Sequence, residues 1–334
     1  MRRLVLHIGT HKTGSTSLQK SLLQGQQDKT LGPWSYIHAR PRVDMNPLVA
    51  CKGMGPQLRA QLRMPFLERR LENANQRGFE DCVISTEMLF WLHDEREIRT
   101  LAERLRQEFD DIRIVVYLRR QDLLALSHRK QVILGQTAYQ FYGAQVHALP
   151  SYRPYFMRYM DYASKLEKWE RVFGAEALTV RRYQPQDLHG SDTVLDFRNI
   201  LGLPAPEQPA ERLNTAWNRT QILTGLWLRQ RGYPRSCFMP SLRALEDPEK
   251  LTPSRAQARA FLRRFEKVNE TLAQRYDPEG PTQFFSPDFT NYPEMANDGY
   301  DAPRPDLKAL EEEVQAQMKE QGLKLETLNP NDRN

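Results

Sequence analysis

The stretch from Leu6 to Gln19, LHIGTHKTGSTSLQ, constrains the fold more than any other part of the chain. Leu4-Val5-Leu6-His7-Ile8 is an apolar run broken only by His7, which predicts a buried first strand. It passes through a glycine-bounded turn into Ser15-Thr16-Ser17-Leu18-Gln19, whose composition is that of a helix start. The frame Gly9-x4-Gly14 and the hydroxyl of Thr16 match a Walker-type loop, which predicts an anion held by a strand–loop–helix unit. The position before Thr16, where such loops carry lysine, is Ser15, and the nearby lysine is Lys12, inside the loop. A lysine there stands over the group attached to an innermost phosphate, whereas a Walker lysine reaches the outer phosphates. The competing reading of the same residues is a tight turn with a solvated lysine.

A chain of 334 residues with 40% hydrophobic content supports a sizeable core in one large or two small domains. Its 48 basic and 42 acidic residues leave a net charge of +6, an excess that fits an anionic ligand and, with no dense basic block, not a nucleic-acid surface. Cys51, Cys82 and Cys237 are widely spaced and odd in number, so neither a disulfide framework nor a CxxC metal site is expected, and no metal is assigned. The start MRRLVLHIG is too short in apolar residues for a signal peptide, and no run of membrane-spanning length follows. A cytoplasmic enzyme is the expectation.

Alternating strand and helix patterns predict an α/β fold, a parallel sheet with flanking helices. Strands are expected at 81–86, 112–118 and 177–182, and helices at 58–77, 95–108, 122–134, 165–172, 193–201, 220–231 and 254–275. Residues 32–56, rich in Pro and Gly, read mostly as loop. The expected domain covers 1–285, followed by a polar extension over 286–334 with a charged surface helix at 306–321.

A second constellation follows the strand Ile112 to Leu118, where Arg119-Arg120 stand at its carboxyl end and Ser127 comes eight residues after Arg119. Ligands of open parallel sheets bind outside the carboxyl ends of strands, so Arg119 shares an edge with the glycine loop. An arginine there forks onto a phosphate, and a serine two helical turns later adds a hydroxyl. A surface ion pair and an ordinary helix serine are the plain alternative.

Together the two segments resemble the family of sulfotransferases that use 3′-phosphoadenosine-5′-phosphosulfate (PAPS). HKTGSTSLQ is similar to the family's 5′-phosphosulfate loop and YLRRQDLLALS to its 3′-phosphate motif. The resemblance is well defined over roughly the first 130 residues and implies a P-loop NTPase-like sulfotransferase architecture of bacterial type. It weakens beyond, at Leu178 to Tyr183, Asp196-Phe197 and Leu201-Gly202-Leu203. It implies that Lys12 contacts the bridging and leaving phosphate oxygens, that Thr13, Gly14, Ser15, Thr16 and Ser17 donate to the 5′-phosphate, and that Arg119 and Ser127 hold the 3′-phosphate. Tyr183 falls where many members place an aromatic near the adenine, although Gln184-Pro185 replaces the acidic residues that often follow. Ser17 stands where the small-molecule branch has a stacking tryptophan, which points toward the carbohydrate-modifying branch.

Sulfuryl transfer to a hydroxyl or amine calls for in-line alignment, charge stabilisation on the leaving oxygen and a base for the acceptor's proton. Glu87, at the carboxyl end of the strand Cys82 to Thr86, matches the glutamate that carbohydrate-modifying members commonly use. His11, His128 and His38 are the competing bases, and His7 reads as a satisfied core residue. The aromatic stretch Tyr139, Phe141, Tyr142, Tyr152, Tyr155, Phe156, Tyr159 and Tyr162 is suited either to stacking on sugar rings or to core packing, and Arg153 and Arg158 to attracting an acidic glycan. Two other functions stay open: a P-loop nucleotide kinase or NTPase, disfavoured by Ser15 and by the lack of a strand-ending metal aspartate, and a non-catalytic nucleotide- or glycan-binding protein.

Overall fold

Near-continuous apolar runs become the three central strands of one parallel sheet, buried on both faces. The computed structural model describes residues 1–53, 58–135, 147–150, 154–206, 217–299 and 305–326, the side chains of 154, 155, 305 and 306 excepted. These residues divide into two compact units: Met1–Arg120 with Asp161–Leu213 and Lys267–Phe285, and Gln121–Met160 with Asn214–Glu266 and Ser286–Asn334.

The first unit carries the sheet. Its strands are β1 (Arg3–His7), β2 (Trp34–Ile37), β5 (Asp81–Ser85), β6 (Asp111–Leu118) and β7 (Leu178–Arg182), in the order β2-β5-β1-β6-β7 and all parallel. A separate antiparallel hairpin pairs β3 (Val49–Lys52) with β4 (Arg59–Leu62). The first three helices, α1 (Ser15–Gln27), α2 (Met64–Gln76) and α3 (Glu95–Leu105), connect strands.

Register decides which side chains meet. Val5 pairs with Val83, and His7 with both Ser85 and Val115, so these residues share one face of the sheet. On that face Leu18 and Leu22 of α1, one turn apart, pack with Val5, Val83, Val115, Tyr117 and Phe197. Leu4, Leu6, Ile84, Ile114 and Val116 alternate to the other face and are also buried.

Strand order places the site. From β1 the chain leaves toward β2, whereas from β6 it leads to β7 on the opposite side. Neighbouring strands whose connections diverge leave a crevice at their carboxyl ends, and there ligands of such sheets bind. The glycine loop follows β1, and Arg119 follows β6.

The second unit is helical. Its α4 (Gln121–Leu134) packs Leu123 and Leu126 against Ala258, Leu262, Phe289 and Tyr292, and the Tyr292 hydroxyl donates to the buried Asp122 carboxylate at 2.8 Å. A helix at Pro305–Glu320 occupies the expected 306–321.

Three expectations are corrected. The supposed loop over 32–56 contains β2, a short 3₁₀ turn and β3. The segment 58–77 begins as β4, and its helix starts only at Met64, with Pro65 in the first turn, where a missing N–H costs nothing. The helix expected over 254–275 is two, Arg255–Arg263 and Glu266–Tyr276, and Arg235–Ala244 forms a helix that the sequence pattern did not indicate. Among the described residues no helix is long and apolar enough to cross a membrane.

Candidate functional site

The loop is tied to the sheet before it reaches the helix. Tyr117 N–H donates to the Gly9 carbonyl at 2.7 Å, and Thr10 N–H returns a bond to the Tyr117 carbonyl at 2.8 Å, so the ladder between β1 and β6 runs on into the loop. The Thr13 hydroxyl donates to the Thr10 carbonyl at 2.7 Å and closes the turn from within. That hydroxyl is therefore committed to the loop, which leaves Thr13 its backbone N–H for a ligand.

Besides Gly9, two residues of the loop have a positive φ. Gly14, at φ +80°, is the residue before α1, and Lys12 takes φ +64°, a region that a side chain makes costly. Lys12 is held there by its carbonyl, which accepts from the Arg119 guanidinium at 2.8 Å. Arg119 also lies over the Tyr183 ring, 5.4 Å from its centre, while Tyr183 N–H donates to the Leu118 carbonyl at 2.8 Å. Lys12, Arg119 and Tyr183, far apart in sequence, are thus gathered at one end of β1, β6 and β7.

No side chain caps the start of α1, and no acidic residue sits in its first turn. The contrast with α3 is direct, since Asp94 caps that helix and Glu95 and Glu97 occupy its first turn. The N–H groups of Ser15, Thr16 and Ser17 have no intrahelical acceptor and carry the positive end of the helix dipole. Ser15 is buried, Thr16 is exposed and Ser17 is half-buried.

Glu87 follows β5 and lies directly against the loop. A Cβ placed on Gly9, whose φ is +113°, would stand 3.2 Å from the Glu87 Cα, so the close approach requires glycine. The Glu87 carboxylate accepts from the Asn46 side-chain amide at 3.1 Å on one oxygen and from the Gln19 amide at 3.1 Å on the other. Burial alone raises its pKa, but the His11 charge, its own backbone N–H and these two amides outweigh burial and hold the carboxyl below the ordinary carboxylate range. Gln19 also donates to the Ser85 hydroxyl at 3.2 Å, and Ser85 is bonded to His7 Nδ1 at 2.8 Å. His7 is fully buried, which pushes its pKa down to about 4.

The other expected bases differ in what occupies them. The Trp91 indole N–H, a donor only, points at His11 Nε2 from 3.3 Å, so that nitrogen accepts, and burial depresses the His11 pKa to about 4. His38 is buried, stacks on Tyr36 and uses Nδ1–H to hold the Arg42 carbonyl at 2.8 Å. His128 is buried in the second unit. Ser127 also belongs to that unit, on α4, where its hydroxyl donates to the Leu124 carbonyl at 2.9 Å.

Phe156, Tyr159 and Tyr162 are each 0% exposed, so they are core and not a sugar-stacking surface. Tyr139, Phe141, Tyr142, Tyr152 and Arg153, and the side chain of Tyr155, lie outside the described residues. Arg158 is exposed. Among the described residues no cluster of three or more His, Cys, Asp or Glu side chains is arranged to hold a metal ion.

No protein-family model matches the chain. A segment of 95 residues is 33% identical to an uncharacterized protein of Archaeoglobus fulgidus, covering 28% of this chain and 23% of that relative's length. A crystal structure of a sulfotransferase from Alicyclobacillus acidocaldarius is similar over 83% of this chain and 96% of that one, at 15% identity and a TM-score of 0.42. At that identity and score the likeness carries no assignment of activity.

Gln19 and Asn46 were missed in the sequence. Single amides carry no motif, and only the register of β1 with β5 and the return of the chain after β2 bring them to Glu87.

Proposed function

We propose that the chain is a PAPS-dependent sulfotransferase that moves a sulfuryl group to a hydroxyl or amine, with a carbohydrate as acceptor. The observation that carries this function is the convergence of Lys12, Arg119 and Glu87 on one glycine loop, Arg119 through the Lys12 carbonyl and Glu87 through Gly9. An uncapped helix start without carboxylates suits a doubly phosphorylated nucleotide. PAPS would supply the activated sulfuryl group.

Within that scheme Lys12 and the backbone N–H groups of Thr13, Gly14, Ser15, Thr16 and Ser17 bind the 5′-phosphate side and oppose the negative charge that grows there. Arg119 takes the 3′-phosphate, and Tyr183, stacked beneath it, the adenine. Ser127 is assigned to the 3′-phosphate on sequence spacing alone. Glu87 accepts the acceptor's proton on a carboxylate oxygen, since three hydrogen bonds, from Asn46, Gln19 and its own backbone N–H, leave lone-pair capacity on a carboxylate that has about four sites. Glu87 is preferred to His11, whose Nε2 lone pair faces the Trp91 N–H. Ser17, in place of a stacking tryptophan, supports the carbohydrate-modifying branch.

Thermal unfolding in the presence of adenosine 3′,5′-bisphosphate tests the nucleotide. Without magnesium, that ligand at a hundred times its Kd is expected to add about 3 kcal/mol of apparent stability, and more than 5′-AMP or ATP at the same concentration. Equal or greater stabilisation by ATP with magnesium would favour a kinase or NTPase. Stabilisation with no sulfuryl transfer to any hydroxyl or amine acceptor would leave a binding protein.

A further inference from the structure

Around Glu87 the hydrogen bonds form two chains. Met88 N–H donates to the Thr86 hydroxyl oxygen at 3.2 Å, and the Thr86 O–H donates to Asn46 Oδ1, an acceptor only, at 2.8 Å. Asn46 must then present its NH₂ to Glu87, which it does at 3.1 Å. On the other side Gln19 Nε2 has two hydrogens and two acceptors, Glu87 Oε2 at 3.1 Å and Ser85 Oγ at 3.2 Å. Ser85, accepting there, is also hydrogen-bonded to His7 Nδ1 at 2.8 Å. The hydrogen bonds from Asn46 and Gln19 both end on the carboxylate, and the side chains along the two chains are buried or half-buried.

We propose that Gln19 and Asn46 are positioning residues for Glu87: a pair of amides that grips one carboxylate oxygen each and fixes the plane of the carboxylate beside Gly9. This role rests on the assignment of Glu87 as the acceptor's base. An amide neither takes nor gives up a proton in this range, so the pair orients the base without draining it. Every hydrogen bond of the network that reaches Glu87 is donated to it by an amide. Gln19 lies five residues beyond Gly14 on α1, so the helix that begins at the anion loop also sets the angle of the base. Titratable groups that feel the Glu87 charge include His11 of the loop, His7 of β1, Tyr36 of β2 and Arg42 of the following turn, and Lys12 and Lys165 act on His11 beside it.

The test pairs turnover with a titration that needs none. Asn46→Asp and Gln19→Glu keep shape but set a second carboxyl group where a donor stood, which raises the pKa of Glu87. Each variant is expected to lose roughly tenfold to a hundredfold in kcat at neutral pH with acceptor KM unchanged. The acid limb of kcat should move up by about one pH unit or more, a change that a merely structural role would not produce. In the resting protein, the ¹³C carboxyl resonance of Glu87 should titrate below the ordinary carboxylate range in wild type and higher in both variants. Superimposable kcat profiles, or a Glu87 titration unmoved by either substitution, would overturn the proposal. Should a variant not fold, Asn46→Ala and Gln19→Ala, which remove each donor without adding a charge, should also raise the Glu87 titration, and a titration that neither moves would overturn the proposal. A Glu87 titration that both substitutions raise, in a protein whose wild type transfers no sulfuryl group, supports the clamp and removes the sulfotransferase function instead.

Discussion

Lys12 is unusual in both halves of its structure, with a side chain displaced from the Walker position and a backbone in the left-handed region. The two can be separated by one substitution. Lys12→Gly removes the amine while allowing φ near +64° without a Cβ clash, so folding stability should stay within about 1 kcal/mol of wild type. Transfer, in contrast, should fall by about a hundredfold or more, the usual loss when a donor to developing charge is removed. Urea unfolding and single-turnover rates read the two effects independently, and a rate unchanged with a competent acceptor would take Lys12 out of the mechanism. At this scale the motif residues were legible because each has a distinctive type at a fixed spacing. The amides were not, since Gln19 and Asn46 acquire meaning only from the carboxylate that tertiary structure sets between them.

Helix α1 links the loop to the core, and its docking is fixed at its far end by Gly25. Replacement of a glycine within a helix by alanine ordinarily gains up to about 1 kcal/mol. Here the new methyl would stand 2.8 Å from Leu31 Cδ2 and 3.2 Å from the Thr30 hydroxyl, and Leu31 is buried in the cluster that α1 shares with the sheet. Gly25→Ala is therefore expected to destabilise by about 1–3 kcal/mol through overpacking. Because Gly25 lies three turns from the loop, nucleotide affinity should be retained; a stabilised variant would mean that α1 docks elsewhere. The elements that sequence revealed are those with a strong period: β1, β5, β6 and the amphipathic α3. β2 escaped because its four residues, Trp34–Ile37, make too short a run after Gly32-Pro33, and the hairpin because Arg59 and Gln61 alternate with half-buried neighbours on a largely exposed strand. The break after Arg263 interrupts no apolar period, so two helices read as one.

Across the whole molecule, the buried histidines should set the acid limit of stability. The folded pKa of His7 is about 4, below the ordinary 6.5, and that of His11 is also about 4. Between these values the unfolded chain binds protons that the folded chain refuses, so unfolding is favoured progressively as pH falls from about 6.5 toward 4. For His7, fully buried, the loss approaches about 3 kcal/mol at the lower end. Glu87 acts in a lower window. Its folded pKa lies below the usual 4.5, so its contribution is complete above that value and disappears only as pH drops through the folded one. The unfolding free energy should therefore decline between pH 7 and 5 while Glu87 is still ionised. A double variant, His7→Phe with Ser85→Ala, replaces the buried pair by apolar groups and should flatten that decline, whatever its effect on stability at pH 8. A slope between pH 7 and 5 that the double variant leaves unchanged would mean that His7 is not the group that binds the proton on unfolding.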